Sequence, residues 1–307
     1  MSSNESIPAD STASTLSLNR VKFGVFLSLQ IPSAICSIYV FSQYMKRPNF
    51  RQSIHNHVVI VLLCSSFIFV TVPVSASEAF FFTAHVRPES NLFCAIWTWI
   101  HYSINISNLI LMGFACAERH WLVFRLNAMR TRRSRILYHY IPIVLCMIYP
   151  WIFYFIFIFL YPCEPAYDYN QLLCLIPCYF FTNSIANTDT FMNNWIPIFA
   201  IPILSGALFI RFILQKQRMQ IEVFRWKRDR KMVIQLLSIT SLYISGWAPL
   251  QAATIYDNIV LGGVAPPFVV AYFYTFPYFV HLFYPFVVLL SNPELRGRIR
   301  DIRPQAT

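Results

Sequence analysis

Residues 94–120 read CAIWTWIHYSINISNLILMGFACAERH, a mostly apolar run that opens on a cysteine and closes on Glu118-Arg119-His120. Cys94 and Arg119 are 25 residues apart, about 37 Å of helix at roughly 1.5 Å per residue, against a bilayer core about 30 Å thick. The run is predicted to cross a membrane, with the cysteine at one face and the arginine at the other. Its polar members are not scattered: His101, Asn105, Asn108 and Arg119 follow at steps of four, three and eleven, which places all four on one helix face. Lipid cannot satisfy such a stripe, so it should face a bundle interior or a wet cavity.

The rest of the chain is equally apolar. Of 307 residues, 57% are hydrophobic and only 12% charged, where a soluble domain carries about 25% charged residues. Seven apolar spans can be drawn, near 21–45, 57–83, 91–122, 138–160, 195–216, 231–256 and 266–290. The expected fold is an all-α membrane protein, a seven-transmembrane helix bundle. Its parts are a polar N-terminal tail (1–20), the bundle (21–290) and a short basic tail (291–307). In that last tail Leu295, Ile299 and Ile302 recur at helical spacing among arginines, as in an amphipathic helix on the membrane surface. The first 20 residues have no basic-then-apolar leader, so no cleaved signal peptide is expected. They carry a glycosylation tripeptide, Asn4-Glu5-Ser6.

Charge sets the expected orientation. The segments 46–56, 123–137, 216–231 and 291–307 hold 3, 5, 7 and 4 Lys or Arg; the opposite set of tail and loops holds three, Arg20, Lys22 and Arg87. The positive-inside rule then places the N-terminus outside and the C-terminus in the cytoplasm. It also accounts for the net charge of +11 without nucleic acid, as topology plus attraction to anionic membrane lipids and a cytoplasmic partner. Four cysteines, Cys94, Cys163, Cys174 and Cys178, fall at the expected outer face, where disulfides persist. Three pairings are open to them. The favoured one is Cys94–Cys178 with Cys163–Cys174, and Cys94–Cys174 is its rival; either would pin the 161–194 loop over the bundle mouth.

Several motifs together resemble a rhodopsin-like (class A) G-protein-coupled receptor over nearly the whole chain. They are the cysteine-to-arginine spacing ending in Glu118-Arg119-His120, Gly246-Trp247-Ala248-Pro249 in the sixth span, and Tyr284-Pro285-Phe286-Val287-Val288 in the seventh, with Leu295 ten residues after Pro285. The second outer loop and the run Trp226 to Leu237 are similar to orphan invertebrate receptors of the bdelloid-rotifer type. The resemblance implies that Glu118 restrains Arg119 at rest. It further implies that the sixth span swings at Pro249 beside Trp247, and that Arg119, His120 and the basic loops meet a heterotrimeric G protein, with Pro285 retained in the seventh span. It has departures. Ser65-Ser66 stand where the family has a sodium-binding aspartate, and Tyr284 and Val288 replace the seventh-span Asn and Tyr. His101 replaces the aspartate of amine receptors and Tyr278 the lysine of opsins. No sodium site, amine ligand or bound retinal is therefore expected.

Pro249 lacks an N–H, so the sixth span should kink there. Trp247 and Gln251 share a face of that span with Tyr243 and Thr254; Tyr274, Tyr278 and His281 share one on the seventh. With His101 and Asn105 they are expected to line an aromatic, hydrogen-bonding cavity for an extracellular chemical or peptide ligand. Glu78 adds an acid near the outer end of the second span. No His-x-x-x-His, paired Cys-x-x-Cys, Gly-x-Ser-x-Gly or phosphate loop is present. The reading is therefore a plasma-membrane receptor, not an enzyme, with no catalytic residue, metal or cofactor. The alternative is a polytopic transporter or channel, which would favour inverted repeats and paired intramembrane charges.

Overall fold

In a computed structural model of the chain, the described residues are 9–48, 53–124, 131–218, 223–256, 272–292 and 295. Among them all regular structure is helical, with no strand. The glycosylation tripeptide, residues 257–271 and nearly all of the basic C-terminal tail lie outside the described residues.

The helices follow the apolar runs: α1 (Ala9–Lys46), α2 (Ile54–Thr71), α3 (Pro73–Thr83), α4 (Asn91–Phe124), α5 (Ile141–Phe155), α6 (Ile196–Arg218), α7 (Val223–Tyr256) and α8 (Phe276–Ser291). α2 and α3 are one span broken at Val72, because Pro73 has no N–H to continue the ladder. Six segments are long and apolar enough to cross a membrane: Leu16–Lys46, Asn56–Thr83, Asn91–Trp121, Arg132–Leu160, Asn183–Leu214 and Val233–Tyr256. α8 is apolar but has 16 residues, about 24 Å at roughly 1.5 Å per residue. The chain is thus a helical bundle compatible with a multi-pass membrane protein.

Two boundaries lie twelve residues from expectation, the second for a physical reason. α1 begins at Ala9, so residues 9–20, expected as tail, are helical. The fifth span begins at Asn183, twelve residues before the apolar run, through the polar stretch NSIANTDTFMNNW. Hydropathy alone rejects that stretch, but its acid, Asp189, is 1% exposed and fully hydrogen-bonded by neighbours. Once its polar groups are satisfied, the helix can continue through a buried setting.

α4 is the centre of the bundle. It packs against α2, α3, α5, α6 and α7, and 61% of its spanning window is buried, against 17% for Arg132–Leu160. The polar stripe faces inward as expected: Asn105, Asn108 and Arg119 are all buried. Large aliphatic and aromatic side chains instead populate the outer faces, the inside-out pattern of a lipid-exposed bundle.

α7 and α8 meet at Gly246. A Cβ there would collide with Val280 Cγ2 and approach the Phe276 carbonyl oxygen at 3.4 Å. The missing side chain is therefore what lets the two helices approach. Gly246→Ala should destabilise the protein by about 1–3 kcal/mol through overpacking, read as a lower thermal midpoint in detergent. Gly206→Ala, also inside a helix but with no atom within 4 Å, is the clash-free control and should not lower the midpoint.

Candidate functional site

Two buried polar clusters lie at different depths along α4. The first is nearer its Cys94 end. His101 and Asn105 are one turn apart, and the Asn105 amide donates to the His101 carbonyl at 3.0 Å. His281 on α8 donates Nε2–H to Asn105 Oδ1 (3.1 Å). Its Nδ1 is left to accept from the Ser66 hydroxyl of α2 (3.2 Å). One neutral tautomer of His281 satisfies both bonds. Asn108 continues the chain by donating to Ser65 (2.9 Å). Phe69 stacks on His281 at 4.1 Å, and His101 and Tyr278 sit ring to ring at 5.3 Å. The Tyr278 hydroxyl meets Ser77 of α3 at 3.1 Å. Three helices, α2–α3, α4 and α8, thus close on one polar, aromatic knot.

A loop covers this end. The structure pairs Cys94 with Cys174 and Cys163 with Cys178, which replaces the favoured pairing by its rival. The reason is local. Leu173, Cys174 and Leu175 all have positive φ, a tight turn that drives Leu173 and Cys174 into the core beside α4. Thr98 donates to the Leu173 carbonyl (3.2 Å) and fixes that register. Cys178, four residues on, faces Cys163, whose carbonyl it also approaches.

The loop is held to residues 84–90 as well. Val86 N–H donates to the Tyr169 carbonyl (2.8 Å). His85 donates Nε2–H to Glu89 (2.9 Å) and Nδ1–H to Asn170 Oδ1 (3.0 Å), while the Asn170 amide N–H faces Asp168. Both ring nitrogens face acceptors, so the geometry asks for imidazolium. The Glu89 bond first, then the Asn170 bond, holds the His85 pKa above its ordinary value of 6.5. A raised pKa means that this clasp is complete below the ordinary value and is lost as pH rises through the elevated one. The His85 ring resonances should titrate with a midpoint above that of free histidine, and Glu89→Gln should lower it; an unchanged midpoint in the variant would refute the clasp.

The second cluster is at the Arg119 end. Glu118 is fully buried, and its Oε1 accepts from His139 Nδ1. His139 Nε2 in turn meets His57 Nδ1 of α2 at 3.0 Å. His139 lies in a π-helical turn, Ile136–Tyr140, that precedes α5. Such a turn rotates the side chains that follow and is common where one residue must be aimed. The carboxylate that the resemblance assigns to Arg119 is therefore held from the α5 side. Arg119 itself is 2% exposed, and His120 donates Nε2–H to the Leu204 carbonyl of α6 (2.9 Å).

The residues expected to bind ligand are split. His101, Asn105 and Tyr278 join in the first cluster. Trp247 packs in a separate core group with Leu109 and Tyr243. There an apolar cavity of about 150 Å³ opens, lined also by Ile201 and Pro202; of the residues expected to line the ligand cavity, Trp247 and Tyr243 reach it. Gln251 is buried, and its Oε1 has no hydrogen-bond partner among the described residues. Tyr274 is 39% exposed. Glu78 is 6% exposed, with Oε1 likewise unpartnered among the described residues. Pro249 lies within α7 and Pro285, buried, within α8. Tyr284 donates to the Val59 carbonyl of α2 (3.2 Å). Sequence reasoning missed His57, His139 and Asp189. The partners of His57 and His139 lie on other elements, and so do the two tyrosines that meet Asp189, whose third partner, Asn193, is four residues on in the same span.

No protein-family model matches this chain, and no curated protein matches it.

Proposed function

We propose that this chain is an orphan seven-transmembrane receptor of the rhodopsin-like kind, in the plasma membrane with its N-terminus outside. It would sense an extracellular chemical or peptide and activate a heterotrimeric G protein. The observation that carries the reading is the separation of two polar clusters along one central helix. The knot of His101, Asn105, Tyr278 and His281 lies on the side roofed by the Cys94–Cys174 loop. The knot of Glu118, His139 and His57 adjoins Arg119 at the other end. A ligand that breaks the first and a partner that engages the second would each favour one arrangement of the same bundle, which is what coupling requires.

Two features supply places for ligand contact. Glu78 Oε1, without a hydrogen-bond partner among the described residues, is a buried acceptor near the roofed end, and the rings of Phe69, His101 and Tyr278 offer apolar area. α8 covers the later part of the run 266–290 drawn as the seventh span, of which residues 266–271 lie outside the described residues. The swing would occur in α7 at Pro249, next to Trp247.

The test is nucleotide exchange on a panel of G proteins in membranes containing the wild type or Arg119→Ala. The expected result is exchange above background with at least one partner, reduced at least about tenfold in the variant, equivalent to about 1.4 kcal/mol of coupling. Equal exchange by wild type, variant and empty membranes across the panel overturns the reading.

A further inference from the structure

A groove of about 460 Å³ opens at the start of the fourth span, lined by Arg132, Arg133, Ile136, Leu137 and Ile141. It belongs to neither polar cluster. Both arginines are exposed, and no carboxylate among the described residues forms an ion pair with either. Three exposed aliphatic side chains line the same groove as two guanidinium groups, a pairing that neither water nor hydrocarbon alone satisfies.

The surroundings place the groove at a membrane boundary. Trp121 and Tyr138 pack edge to face at 6.1 Å, 40% and 48% exposed. Exposed Trp and Tyr collect at the headgroup level, where one end of the ring is apolar and the other wet. Beyond the groove the aliphatic surface continues without a polar break: Leu137, Ile141, Val144, Leu145 and Ile148 are each 43–59% exposed. Their steps of four, three, one and three keep them on one helix face. Within the bundle this face is uncovered, since only 17% of the Arg132–Leu160 window is buried.

We propose that this groove binds one anionic glycerophospholipid, with its phosphate between Arg132 and Arg133 and an acyl chain along the Leu137–Ile148 stripe. Charge selects the occupant. A planar guanidinium matches two phosphate oxygens at once, and the stripe matches a hydrocarbon chain that a free anion lacks. The site differs from general attraction of a basic surface to anionic membranes in having a defined position and one occupant. It stands independently of the receptor reading.

Native mass spectrometry of the full-length protein in detergent tests it, with phosphatidylglycerol, phosphatidylcholine and inorganic phosphate as probes. One phosphatidylglycerol should bind at least about tenfold more tightly than phosphatidylcholine. Arg132→Gln/Arg133→Gln should remove that preference. Arg135→Gln, an exposed arginine of the same turn that does not line the groove, should keep it. A phosphatidylglycerol with a photoreactive acyl chain should label residues 137–148 of the wild type, a readout that needs no substitution. Equal binding of the two lipids, displacement by millimolar inorganic phosphate, an unchanged preference in the double variant, or labelling spread over all exposed faces would each overturn the proposal.

Discussion

His139→Ala should lower the stability of the bundle by about 3–5 kcal/mol, the cost of removing from a fully buried acid the partner that holds it. Glu118 has no exposed surface, and His139 supplies the hydrogen bond to its Oε1. Its Oε2 has no hydrogen-bond partner among the described residues. Without the imidazole the carboxylate keeps only the field of neighbouring Arg119, which places the effect at the lower end of that range. Cys36 and Cys116 are buried free thiols, so in a Cys64→Ala/Cys146→Ala background, which removes the two less buried ones, a thiol-reactive fluorophore reports unfolding. A midpoint drop of roughly 6 °C or more is expected. A drop under roughly 2 °C would show that the pair does not carry the charge. Glu118→Leu/His139→Leu should recover most of the loss, because replacing both partners removes the stranded group along with the bond. The same substitutions separate stability from signalling. If the pair also restrains the Arg119 end, the recovered double variant should show raised basal nucleotide exchange.

Asp189→Ala is the second large expected loss, about 3–5 kcal/mol by the same assay. The carboxylate accepts from Tyr154 (2.9 Å), Tyr179 (3.0 Å) and Asn193 (2.7 Å), and Asn193 in turn accepts from Tyr149 (2.9 Å). Tyr154 and Tyr179 have no exposed surface, so neither hydroxyl can turn to water when the acceptor goes. Each stranded donor costs about 1–3 kcal/mol, and the three are coupled, so their costs will not add in full. Asp189→Asn is the discriminating variant. Its Oδ1 still serves Tyr154 and Asn193, and the Tyr179 hydroxyl can rotate to accept from the new amide. It should cost about 1 kcal/mol, one ordinary hydrogen bond. A loss as large as that of the alanine variant would mean that the negative charge itself, not the acceptor geometry, organises this corner.

Both effects come from residues that carry no signal in the sequence. The spans, by contrast, were legible. The runs drawn at 57–83, 91–122 and 231–256 match Asn56–Thr83, Asn91–Trp121 and Val233–Tyr256 within two residues at each end. The inward face of α4 followed from the spacing of His101, Asn105, Asn108 and Arg119, of which the last three are buried and His101 half-buried. What failed were the start of the fifth span and the disulfide pairing, each of which needs two elements at once. The start of the fifth span moved twelve residues because Asp189 is satisfied by tyrosines from 10 and 35 residues away. The disulfide pairing turned on three consecutive positive-φ residues, Leu173, Cys174 and Leu175.

The sequence by itself determined that this is a helical bundle fit for a membrane, where three of its spans begin and end, and which face of the third span turns inward. Hydrocarbon imposes those features one segment at a time, since each helix must satisfy its own backbone and hide its own polar stripe. The tertiary structure decided which cysteines pair and how Glu118, His139 and His57 join three helices. Those contacts span 21 to 82 residues of chain. They depend on how each helix is rotated about its axis, and a single π turn at Ile136–Tyr140 shifts that rotation enough to bring His139 inside.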